Sequence, residues 1–333
     1  MPSSENTSLR GILLALAAFA VFATHDAIIK HLGGSYAPFQ IVFFSVLFGF
    51  PMVTFLMMRD ASHGNLRPVH PWWTALRTAA VVITATSAFY AFSTLPLAQV
   101  YAILFAAPLL ITLIAIPILG ERVGIRRTLA VLVGLGGVFV VLRPGAAPIT
   151  PGHVAALVAA VSGAFGAVIM RKIGREERTV VLILYPMMAN VVLMGLAMPF
   201  VYAPMPVGDL GLMAVIAALA LLGTSLLIFA YRAAPAATVA PMQYSQIIWA
   251  SAFGIVLFGE PLAVSTVAGT AIIVASGLYI VVREQRPGTS RTTPVLRTRS
   301  RLASPAAPRV SAFLPNARRG AQHEDPEASR ADD

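Results

Sequence analysis

Residues 91–121 read AFSTLPLAQVYAILFAAPLLITLIAIPILGE, and residues 230–260 read AYRAAPAATVAPMQYSQIIWASAFGIVLFGE. At a shift of 139, Ala91, Pro96, Ala98, Val100, Ile116, Gly120 and Glu121 meet Ala230, Pro235, Ala237, Val239, Ile255, Gly259 and Glu260. The start of the chain repeats too. At a shift of 141, Gly11, Ala15, Ala18, Ala23, Ile28 and Gly33 meet Gly152, Ala156, Ala159, Ala164, Ile169 and Gly174, and Lys30 meets Arg171. The chain is therefore written twice, and the number of membrane crossings in each copy decides the fold.

A helix crosses the bilayer with about 20 apolar residues. Ten segments meet that description: roughly 10–31, 36–58, 72–92, 97–118, 126–142, 151–171, 180–202, 208–231, 237–258 and 264–282. Short loops marked by Pro, Gly or paired charges separate many of them, as at Arg67-Pro68 and Arg143-Pro144-Gly145. Composition agrees: 57% of the 333 residues are hydrophobic and 11% charged, where a soluble domain carries about a quarter charged residues. The first segment is too long for a signal peptide and recurs later in the chain. Without cysteine, disulfides, thiol nucleophiles and cysteine-ligated metals are excluded.

Five crossings per copy is an odd number, so the second copy enters the membrane from the opposite side. The expected fold is all-α and integral to the membrane: ten transmembrane helices as two inverted five-helix repeats. The first repeat is placed at 10–142 and the second at 151–282, joined by a linker at 143–150. Residues 1–9 form a cytoplasmic N-terminus, and 283–333, rich in Arg, Pro and Ala, read as a disordered basic cytoplasmic tail. Lys and Arg collect on cytoplasmic loops. Placing the N-terminus inside puts eleven bases at inner ends (Arg10, Arg59, Arg67, Arg122, Arg126, Arg127, Arg171, Lys172, Arg175, Arg178 and Arg232) against Lys30 and Arg143 outside. Both termini are thus expected in the cytoplasm. The net charge of +10 is mainly a topology signal, with the lipid bilayer rather than nucleic acid as its partner.

Inverted repeats permit alternating access, with substrate near the midplane between the halves. The loop prolines Pro96 and Pro235, Pro108 in the fourth segment, the Gly-Glu ends Gly120-Glu121 and Gly259-Glu260, and the Gly-rich fifth segment with Gly134, Gly136 and Gly137 together resemble the EamA family of the drug/metabolite transporter superfamily. The resemblance covers about 10–282. It implies a ten-helix carrier of amino acids, metabolites or vitamins, of the kind found in bacterial inner membranes, often as exporters. One departure stands out: the second copy has Ile247 where the first has Pro108.

The candidate substrate residues are polar groups that the other copy does without. His25 and Asp26 meet Gly166 and Ala167, so packing alone does not require them. A charge at mid-membrane costs roughly 2.5–3.5 kcal/mol and normally faces a cavity or a partner. Lys30 is the expected partner of Asp26, since acid and base are spaced i, i+4 in the favourable order. Arg77 lies about 16 Å away in depth and is read as snorkelling or a structural pair, though a substrate carboxylate would also suit it. His25 and Asp26 are adjacent, which points them to different helix sides and argues against a metal site.

In the ninth segment Gln243, Gln246 and Trp249 meet Leu104, Ala107 and Leu110 of the first copy, and are read as one face for a planar polar solute. Asn190 and Tyr101 complete the set of substrate candidates, with Tyr90, Gln99 and Tyr185 weaker. Glu121 and Glu260 are read as loop-fixing groups at the membrane edges. No catalytic residue, cofactor or metal is expected, and no GxxxxGK[ST], HExxH or GxSxG occurs. The reading is a secondary transporter of a small organic metabolite (amino acid, amine, vitamin or nucleoside-like compound), driven by protons or exchange. The alternatives are a membrane-embedded lipid-modifying enzyme, or a sensor or scaffold working through the tail. Oligomeric state and direction of transport are not written in the sequence.

Overall fold

The computed structural model describes residues 4–58, 66–121, 123–145, 148–174 and 176–285. The tail expected at 283–333 falls almost wholly outside them. Among the described residues the fold is helical, without strands: α1 Ser4–Gly33, α2 Pro38–Met58, α3 Pro71–Thr94, α4 Leu97–Leu104, α5 Ala107–Leu119, α6 Ile125–Leu142, α7 Pro151–Ile173, α8 Thr179–Val201, α9 Val207–Ala233, α10 Ala236–Val239, α11 Gln246–Phe258 and α12 Val264–Gln285. Among the described residues eight stretches, where ten were expected, are long and apolar enough to cross a membrane, one of them the combined run Leu97–Leu119, and a shorter apolar helix covers Pro38–Pro51.

The segments expected at 97–118 and 237–258 are broken rather than continuous. The first parts at Phe105–Ala106, just before Pro108 at the start of α5. Proline has no N–H to give and crowds the carbonyl four residues back, so the preceding turn opens. The second passes through a 3-10 stretch, Ala240–Ser245, with Pro241 near its start. The prolines do not correspond, yet the elements do. α4 and α10 start 139 residues apart, as do α5 and α11, whose ends are also 139 apart. Both α5 and α11 stop at a glycine in the left-handed region, Gly120 at φ 66° and Gly259 at φ 63°, where a Cβ would be strained.

The most extensive packing joins α1 to α9, α3 to α7, and α6 to α12. α6 and α12 approach at backbone distance: a Cβ on Gly269 would stand 2.6 Å from the Gly137 carbonyl oxygen, and one on Gly137 would stand 2.9 Å from that of Gly269. In lipid, close approach through small residues replaces the missing hydrophobic force between helices. Gly136, grouped with Gly134 and Gly137 by sequence, meets nothing within 4 Å. At one end of the bundle, the Tyr36 hydroxyl in the turn after α1 donates to Asp209 Oδ2 of α9 (2.5 Å), and this bond holds the phenol above its ordinary pKa.

Candidate functional site

Four polar side chains meet inside the bundle. His25 and Asp26 come from α1, Tyr101 from α4 and Gln246 from the first turn of α11, and all are at most 5% exposed. His25 Nδ1 lies 2.6 Å from Asp26 Oδ1. The Tyr101 hydroxyl donates to Asp26 Oδ2, and Gln246 Nε2 reaches the Tyr101 oxygen at 3.4 Å. The adjacency of His25 and Asp26 does not separate them, contrary to expectation. Their side chains turn toward each other, and both are at most 4% exposed. The imidazole edge also meets the Phe89 ring at 6.3 Å and 84°. The break after Leu104 ends α4 one turn beyond Tyr101, and the 3-10 stretch ends where Gln246 begins α11.

The network draws on both copies, yet its positions are unique to one copy each. The repeat mates of Asp26, Tyr101 and Gln246 are Ala167, Ala240 and Ala107. Such an arrangement holds a carboxylate between a phenol and an imidazole, with an amide at its edge. A ligand cation would be met there by charge, and a ligand polar edge by hydrogen bonds.

Lys30 goes elsewhere than the i, i+4 spacing predicts. Its Nζ makes a 2.6 Å salt bridge to Glu260 Oε1, donates to the Leu95 carbonyl oxygen at 2.7 Å and lies 5.4 Å from the centre of the Phe258 ring. The second Glu260 oxygen accepts from the Leu97 N–H at 2.9 Å. A distant carboxylate backed by a carbonyl outcompetes one a single turn away, because it offers the ammonium two acceptors at once. Glu121, at the opposite end of the α4–α5 run, pairs with Arg171, and neighbouring Lys172 donates to the Ile118 oxygen at 2.8 Å. Both glutamates therefore follow the end of a helix and tie it to a neighbouring one.

The remaining candidates fall outside this network. Arg77 Nη1 donates to the Leu182 carbonyl oxygen of α8 at 2.5 Å, a structural bond. Asn190 is fully buried and gives its Nδ2 to the Pro186 oxygen of its own helix at 2.9 Å. Gln243 is half-buried in the 3-10 stretch. Trp249 is 39% exposed, with Phe253 as its ring neighbour at 6.4 Å. Three residues of α-helix leave it about 60° round from Gln246, enough to take it off the buried face. Among the described residues no group of three or more His, Asp or Glu is placed to hold a metal.

A multi-pass helical bundle with a buried ionisable cluster and a doubled sequence defines the class of membrane carriers. The EamA-like transporter family model matches twice, at 9–143 and 150–282, and the chain belongs to that family. It is a membrane transporter by family. The chain is 25% identical to an S-adenosylmethionine uptake transporter of Rickettsia prowazekii, over 87% of this chain and 99% of the relative. It is 26% identical to the pseudopaline exporter CntI of Pseudomonas aeruginosa, over 80% and 94% of the two chains. One solved crystal structure shares the fold, with a TM-score of 0.53 at 21% identity, over 85% of this chain and all of the other.

Proposed function

We propose that this chain is a secondary transporter that carries a small organic metabolite with a cationic group across the bacterial inner membrane. It works by alternating access of two inverted five-helix repeats. The observation that carries the substrate reading is the Asp26 network. An aspartate is kept buried where its repeat mate is alanine, the Tyr101 hydroxyl donates to it, and Gln246 from the other half donates in turn to Tyr101. Amines, amino acids and sulfonium compounds fit this chemistry. S-adenosylmethionine is both a sulfonium and an amino acid, and a relative is named for its uptake.

Three features support the repeat reading. Helix boundaries recur at a shift of 139. The most extensive packing maps onto itself when the halves are exchanged, since α1 on α9 becomes α7 on α3 and α6 on α12 is its own image. Phe105 and Tyr244, themselves repeat mates, touch each other at 5.1 Å, as residues flanking a two-fold axis do. The charge bias of the loops supports an N-terminus and a C-terminus inside.

The test is uptake by proteoliposomes against labelled amino acids, S-adenosylmethionine and riboflavin, with and without a pH gradient. One solute class is expected to enter the wild type and to be lost in Asp26→Asn. Dependence on the gradient would identify proton coupling, and dependence on internal solute would identify exchange. Transport that persists unchanged in Asp26→Asn would remove the network from the substrate path.

A further inference from the structure

Two ion pairs in this molecule are copies of each other. Lys30 and Arg171 are repeat mates, and so are Glu260 and Glu121. Lys30 pairs with Glu260, and Arg171 with Glu121, so each bridge joins one half of the chain to the other. The bridges stand at opposite ends of the α4–α5 run. One carboxylate binds the Leu97 N–H at its start, and the other follows Gly120 at its finish. That run is 23 residues long, or about 34 Å. The Asp26 network hangs from Tyr101, between the two.

The bridges are not equally complete. Glu260 uses both oxygens, one on Lys30 and one on the Leu97 N–H. Glu121 uses one: among the described residues its Oε2 is buried without a hydrogen-bond partner, and so is Nη1 of Arg171. A buried polar atom left unpaired costs much of what pairing it would return. The end of the bundle holding Lys30 is fully tied, while the end holding Arg171 is tied by a bridge with two spare atoms.

Resting on the alternating-access reading, we infer that Lys30–Glu260 and Arg171–Glu121 are the latches of the two faces, each broken when its own face opens, and that this structure has the Lys30 face shut. The halves cannot part at the Lys30 end without separating α1 from the end of α11 and releasing the Leu97 N–H. The same holds at the other end for α7 and the end of α5. Since each latch favours closure of its own face, removing it shifts the population toward opening there.

The absence of cysteine makes this measurable. Ala98→Cys places a reporter on α4, 8% exposed, between the Lys30 latch and Tyr101. Its labelling by a membrane-impermeant maleimide is followed in sealed vesicles with the Lys30 face outward. Each latch is removed as a neutral pair, so that no lone charge is left buried. Lys30→Gln with Glu260→Gln is expected to raise the labelling rate about fivefold, and Arg171→Gln with Glu121→Gln to lower it by a similar factor. The charge-swapped pair Lys30→Glu with Glu260→Lys is expected to return the rate toward the parent. Unchanged rates, or shifts of the same sign in both neutral pairs, would overturn the latches. The reading needs no solute. Shifts as expected without flux would therefore retire the substrate assignment alone, and flux without shifts would retire the latches alone.

Discussion

At the scale of the residue, the chemistry turns on one carboxylate and its donors. The Tyr101 hydroxyl donates to Asp26 and accepts from Gln246, and phenylalanine keeps the ring contacts with Phe92 and Phe105. Tyr101→Phe is expected to raise the half-saturation for solute about tenfold with little loss of fold, since a hydrogen bond to a charged group is worth about 1.5–3 kcal/mol. Kinetics of uptake over a range of solute concentrations would check this, and an unchanged half-saturation would count against a substrate role for the network. His25 and Asp26 were legible in the sequence because they break the repeat. The partner of Lys30 was not. Glu260 is 230 positions away, and a spacing rule for one helix cannot see it. The clue was present all the same: both Lys30 and Glu260 have mates of like charge in the other copy. Trp249 was read as continuing the face of Gln246, whereas three residues of regular helix turn it about 60° away, to the exposed side.

At the scale of the element, close packing and interrupted helices matter most. Gly269→Ala drives a methyl group to 2.5 Å from the Val141 side chain and 2.6 Å from the Gly137 backbone oxygen. It is expected to cost about 1–3 kcal/mol, seen as a lower unfolding midpoint in detergent. Gly136→Ala, with open space around it, is expected to leave that midpoint unchanged or slightly raised. Hydropathy located eight of the ten expected apolar stretches within a few residues, since segment length and flanking Pro and Gly are local properties; the one expected at 237–258 keeps only the short helix α11 beyond its 3-10 stretch. Pro241 was legible as loosening its own segment, but the break before Pro108 was not read. The two prolines occupy unrelated positions in the repeat, so alignment did not carry the one reading to the other. The glycine-rich stretch of α6 likewise named a close contact without saying which glycine made it.

At the scale of the whole molecule, a carrier and a signalling scaffold predict different things of the tail. A chain ended after Gln285, the last described residue of α12, is expected to keep solute flux within about twofold of the full chain, because the packed helices and the Asp26 network lie before that point. Loss of flux with the helices still folded would favour the scaffold reading. The doubling of the sequence was readable from two aligned stretches, and the family model matches once on each copy. What the alignment could not give was the difference between the two ends, which lies in single hydrogen bonds rather than in residue types. That difference bears on traffic through an empty carrier. If one mouth is held by a satisfied carboxylate and the other by one with an oxygen to spare, the unloaded protein spends unequal times facing the two compartments. Solute arriving at the rarely open side must wait for it, so its apparent affinity falls by the fraction of time that side is available. Influx and efflux of the same solute would then saturate at different concentrations, even with one binding site and no energy supplied.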